Sequence, residues 1–76
     1  MDESVEPAAV AQSAAITAIL ARYEAEEIDD LDVTARFTDS ELTLDVYLLV
    51  EGEDTADVVT EAVEAGTAAV DELFGE

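Results

Sequence analysis

The side chains in this chain that could do chemistry are almost all carboxylates. Twenty-one Asp and Glu face two basic residues, Arg22 and Arg36, and there is no His, no Cys and no Lys. Imidazole is therefore missing as a base or metal ligand. Thiolate is missing as a nucleophile, a zinc ligand or half of a disulfide. Ser4, Ser13 and Ser40 have neither a His nor a Lys to activate them. General acid–base work by a carboxyl group needs a pKa moved by burial or by a neighbour, and the spacing singles out no one acid among so many. The chain reads as a non-enzyme, with no catalytic residue and no cofactor assigned.

Two stretches are densest in oxygen ligands: Asp29-Asp30-Leu31-Asp32 and Glu51-Gly52-Glu53-Asp54. Neither has the alternating spacing and distal Glu of a calcium loop. As structure they are solvated acidic turns; as chemistry they would attract divalent cations loosely, so clusters 29–32 and 51–54 receive no metal assignment. Gly52, Gly66 and Gly75 are isolated from one another, which excludes a glycine-rich phosphate loop.

The formal charge is −19 on 76 residues. In dilute buffer such a charge repels itself and weakens the compact state. At 1 M salt the screening length falls to about 3 Å and most of that repulsion disappears. The acids are spread through every segment, and Thr, Ala and Ser stand where Lys would be common. A docking face for a basic partner, or an acidic mimic of nucleic acid, would concentrate the charge in one block. Adaptation to a salt-filled cytoplasm is the reading this pattern favours. Direct nucleic-acid binding is disfavoured, because phosphate contacts need a basic patch that two arginines do not make. Met1 to Pro7 lacks the basic start and apolar run of a signal peptide. The longest strongly apolar run, Val46 to Val50, is far too short for a bilayer. The expected location is the cytoplasm, with no membrane partner.

The elements that must carry these side chains follow from periodicity. Half the residues are hydrophobic, enough for a core, and the length suits one domain, residues 1–76, with a short acidic arm over about 1–6. Pro7 suits the first turn of a helix, with Glu6 or Ser4 before it as cap. That helix is expected to run to about Glu26, with Ala9, Ile16, Ile19, Leu20 and Tyr23 on its inner stripe and an Arg22–Glu26 pair outside. From Leu31 to Thr38 and from Leu42 to Val50 the pattern alternates, apolar then polar, as half-buried strands do. A two-residue loop at Asp39-Ser40 sets Phe37 opposite Leu42, Ala35 opposite Leu44, Val33 opposite Val46 and Leu31 opposite Leu48. An odd loop would set polar against apolar. On the other face Arg36 lies opposite Thr43 and diagonal to Asp45. Asp54 or Thr55 then caps a second helix, with Val59, Val63, Gly66, Val70 and Leu73 on one stripe, flanked by Ala62, Ala69 and Phe74, and Gly75 as a stop. Gly66 weakens that helix unless the first helix approaches closely.

The order is α–β–β–α, and the expected fold is α+β in two layers: an antiparallel β-hairpin with both helices on its apolar face. Tyr47 and Leu49 project from the opposite face. The plain role for Tyr47 is a cross-strand contact with Asp32; the functional role for Tyr47 and Leu49 is an interface. Strand 42–50 has an edge with five uncharged residues, Val46 to Val50, and exposed edges invite pairing. A homodimer or another protein is the partner expected there, unless the arm or a helix end covers the edge.

Ala21-Arg22-Tyr23-Glu24, Asp30-Leu31-Asp32-Val33-Thr34, Leu44-Asp45-Val46-Tyr47-Leu48 and Ala69-Val70-Asp71-Glu72-Leu73-Phe74 together resemble small haloarchaeal proteins of an uncharacterised archaeal family, domain of unknown function 3194. The resemblance spans nearly the whole chain and implies an archaeal cytoplasmic protein with no assigned activity. It also implies a gene neighbourhood shared with the prefoldin β subunit, hence a link to proteostasis or translation. It supplies no functional residue. The function expected is a non-enzymatic, halophile-adapted protein-interaction module. The alternatives are a small metal-dependent or carboxylate-based enzyme or factor, and an acidic nucleic-acid mimic.

Overall fold

The structure is a computed structural model and describes residues 6–75. Arm residues 1–5, with Ser4 as a cap candidate, lie outside the described residues. Helix α1 covers Pro7–Leu20, strand β1 Asp30–Thr38, strand β2 Glu41–Leu49 and helix α2 Ala56–Gly75; a short 3₁₀ turn occupies Ala25–Glu27. The strands form one antiparallel pair, and α1 and α2 pack on each other and on the same face of it. This is the two-layer α+β arrangement.

The register is the one that the parity of the pattern dictates. Phe37 pairs with Leu42, Ala35 with Leu44, Val33 with Val46 and Leu31 with Leu48. All these inward residues are buried or half-buried, and every outward residue from Asp30 to Thr38 and from Glu41 to Leu49 is exposed. The loop is Asp39-Ser40, with φ of 53° and 65°. Left-handed backbone at both central positions matches a type I′ turn, whose twist suits a hairpin. Glycine and asparagine adopt that backbone most readily; Asp and Ser hold it here at some cost in strain.

The helices meet through their smallest residues. Ala11, Ala15 and Ile19 of α1 and Val58, Ala62, Gly66 and Val70 of α2 are buried, each series in steps of four. A Cβ built on Gly66 would lie 2.6 Å from Leu44 Cδ2 and 2.9 Å from the Ala11 carbonyl oxygen. Gly66 thus lets the helix backbones approach, which offsets its weak helix propensity. Ile19, Val33, Leu48, Val50, Val58, Ala15 and Ala62 close the core beside this contact.

Three expectations for the helices are corrected. The inner stripe of α1 is Ala11-Ala15-Ile19, while Ala9 and Leu20 face solvent. In α2 the stripe turns toward Val58 and Ala62, and Leu73 is exposed. In α1 side-chain size misled, because close helix packing selects alanine over bulk; in α2 Gly66 and Val70 are buried as expected and Val58 joins them. α1 also stops at Leu20, six residues before Glu26. The Arg22 and Tyr23 amides both donate to the Ile19 carbonyl, and Tyr23 packs against the core. Glu24 and Glu27 then cap each other's backbone amides in the 3₁₀ turn. With the helix ended, Arg22 pairs with Glu61 of α2 in place of Glu26.

Candidate interaction surface

The hairpin has one covered and one open face. Asp30, Asp32, Thr34, Arg36 and Thr38 of β1 stand beside Leu49, Tyr47, Asp45, Thr43 and Glu41 of β2, all exposed. No described element lies over them. Most are acids or hydroxyls that water solvates well. Tyr47 and Leu49 are not: they are 53% and 47% exposed, side by side on β2 and outside the core. Asp32 is opposite Tyr47, as its plain role requires. No ion pair joins Arg36 to Asp45 among the described residues.

The strand edges can be assigned from the turn. A two-residue loop is closed by a hydrogen-bonded pair, here Thr38 and Glu41, and such pairs alternate along an antiparallel ladder. Leu42, Leu44, Val46 and Leu48 therefore turn their N–H and C=O groups away from β1, while Leu31, Val33, Ala35 and Phe37 turn theirs away from β2. Two hydrogen bonds agree with this phase. Gln12 Nε2 of α1 donates to the Val33 carbonyl at 2.8 Å, and Thr55 Oγ1 donates to the Leu48 carbonyl at 3.1 Å. The second covers the edge of β2 from within the chain at Leu48. From Leu42 to Val46 no such partner occurs among the described residues.

The acidic clusters come together at the end of the molecule away from the hairpin loop. Asp29, Glu51 and Glu53 line one open hollow of about 400 Å³ with Glu27, Arg22 and Tyr23, and the Glu51 amide donates to Asp29 Oδ2 at 2.8 Å. The sequence separates these acids, but the hairpin register brings residues 29 and 50–51 side by side. Among the described residues no three acids are placed to hold a metal ion. Thr55, a cap candidate, spends its hydroxyl on β2, and Asp54 Oδ1 accepts the Ala56 amide.

One contact joins an inward strand residue to a residue flanking the α2 stripe. Phe37 and Phe74, the chain's two phenylalanines, stack with ring centres 5.5 Å apart and planes 16° from parallel. They line a hollow of about 550 Å³ with Leu42, Val70, Thr67 and Ser40. Phe74 is 59% exposed on its far side. Its signal was an aromatic residue one turn beyond Val70 in a chain with few aromatics.

No helix among the described residues is long and apolar enough to cross a membrane. No protein-family model matches the chain. An uncharacterised protein of the haloarchaeon Natronomonas pharaonis is 48% identical over 79 aligned positions, spanning 96% of this chain and 95% of that one. The solution structure of a hypothetical protein from Methanothermobacter thermautotrophicus superposes with a TM-score of 0.74 over 99% of this chain and 93% of the other, at 21% identity. The latter shares the fold. On the strength of the former, the chain belongs to a family of small, uncharacterised archaeal proteins that includes the Natronomonas pharaonis protein.

Proposed function

We propose that this chain is a non-enzymatic protein-interaction module of a salt-filled cytoplasm, which contacts its partner through strand 42–50. The carrying observation is the pair Tyr47 and Leu49, half-exposed on the open face of the two-stranded sheet, while the other exposed large apolar residues, Leu20, Leu73 and Phe74, lie on the helices. An apolar pair of this kind gains most from being covered, and an aromatic residue beside an unpaired strand edge suits strand addition. The haloarchaeal source of the relative supports the salt reading. Assignment to family 3194, and with it a role near proteostasis or translation, rests on the sequence resemblance alone. The carboxylate-enzyme, metal-factor and nucleic-acid-mimic readings have no comparable surface to recommend them.

The test is an NMR titration of the ¹⁵N-labelled chain with concentrated haloarchaeal extract in 2 M KCl. Line broadening confined to β2 and its outward neighbours is the expected result. Broadening centred on Asp29, Glu51 and Glu53, or on the outer face of α2, would reject the proposal.

A further inference from the structure

We infer that the occupant of the free β2 edge is a second copy of this chain, paired antiparallel over Leu42–Val46 with Leu44 on the two-fold axis. The inference rests on the reading of β2 as the contact strand and names its partner.

Hydrogen-bond phase limits the registers. The outward amides and carbonyls belong to even-numbered residues, so only registers that set even opposite even can form a ladder. With Leu44 opposite Leu44 of the copy, Leu42 meets Val46 on the helix side. These three are only half-buried in one chain although they face inward. Pairing would extend the apolar row across the axis and complete their burial.

The outer face chooses among the allowed registers. In this one Thr43 stands opposite Asp45 of the copy, and Tyr47 stands opposite Glu41. Both acids of β2 thus meet a hydroxyl that can donate to them, and symmetry repeats each pair. Sliding the copy by two residues one way sets Asp45 against Asp45; the other way sets Glu41 against Asp45. Both slides bring like charges directly together. The pairing also ends before Leu48, whose carbonyl already accepts from Thr55. A self-complementary contact between two chains of charge −19 needs screening, so it belongs to molar salt.

The chain has no cysteine, which makes cross-linking clean. Thr43→Cys and Asp45→Cys chains are mixed and mildly oxidised in 2 M KCl. The expected product is a disulfide between the two variants, several-fold in excess over either variant's disulfide with itself, because only unlike positions face each other across the axis. Sedimentation equilibrium on unoxidised protein supplies the second readout. Wild type should dimerise, and Thr43→Glu, which sets an acid opposite Asp45, should weaken the dimer at least tenfold, with the melt unchanged at concentrations too dilute for the dimer. A wild type that stays monomeric at millimolar concentration, or cross-linking that favours like positions, would overturn the inference. If the wild type is monomeric while extract still broadens β2, the module stands and its occupant is another protein. If extract also leaves β2 untouched, both readings fall.

Discussion

The two faces of one hairpin are built from alternate residues of the same two strands, yet they have opposite fates. On the inner face Leu48 is 5% exposed and Val33 6%, closed over by two helices that meet through alanine and glycine. On the outer face, immediately beside Leu48, Tyr47 is 53% exposed and Leu49 47%. On the inner face the apolar rows match across the register and the helices cover them, fully at Val33 and Leu48 and in part from Leu42 to Val46. The outer face is explained only in part. Its acids and threonines are well solvated, whereas Tyr47 and Leu49 are the exposed apolar residues on which the proposed contact rests. The alternation therefore separates residues that fold the domain from residues available for contact.

Substitutions can break that contrast. Leu48→Asp would bury an unpaired charge and should cost about 4 kcal/mol or more, leaving the chain unfolded at ordinary temperature. Thr43→Asp, opposite Arg36 on the open face, should leave the melt of the dilute, monomeric chain nearly unchanged. Circular dichroism melts in 2 M KCl check both, and equal losses would mean that the two faces are not distinct.

Salt acts on the charged surface and spares the core contacts. Between 0.05 M and 2 M KCl the melting temperature should rise by more than about 10 °C, on the order of 2 kcal/mol for a domain this small. A flat midpoint would remove salt adaptation from the account. On the covered side, Gly66→Ala gains helix propensity but drives a methyl group against the Ala11 carbonyl. The net effect should be destabilising by about 1–2 kcal/mol, read from urea melts. Stabilisation would show that the helices are not held at that close approach.

The loop joining the two strands offers the smallest effect. Asp39→Asn with Ser40→Gly relieves left-handed strain at both central residues. It should raise stability by about 0.5–1 kcal/mol without changing contacts on either face. A loss of stability in the same melts would contradict the turn geometry.

The hairpin was legible in the sequence because a period of two leaves no freedom: one even loop matches every apolar residue and an odd loop matches none. The helix faces were less legible. A stripe chosen by bulk picks Leu20 and Leu73, whereas the buried rows also include Ala11, Ala15 and Ala62, which look unremarkable one at a time; Gly66 was legible, since only a close helix approach justifies it there. The end of α1 at Leu20 depends on Tyr23 finding the core and on Glu24 and Glu27 capping each other. Those are tertiary and local competitions that periodicity does not register. The candidate surface was half legible. Tyr47 and Leu49 follow from parity, but the cover at Leu48 comes from Thr55, a residue that reads in sequence only as a helix cap. The meeting of Asp29 with Glu51 and Glu53 was implicit in the register, since pairing Asp30 with Leu49 leaves the two acidic turns adjacent.

The claim that the outer face exists for contact can be tested without knowing the partner. The chain lacks lysine, so an amine-reactive dye labels only its N-terminus. Labelled wild type and a Thr43→Glu, Tyr47→Thr, Leu49→Thr variant are sedimented in concentrated haloarchaeal extract containing 2 M KCl, with fluorescence detection. Wild type should sediment faster than a monomer, and the variant, with its melt unchanged, should sediment as one. Equal sedimentation of the two would contradict the assignment of this face as the contact surface.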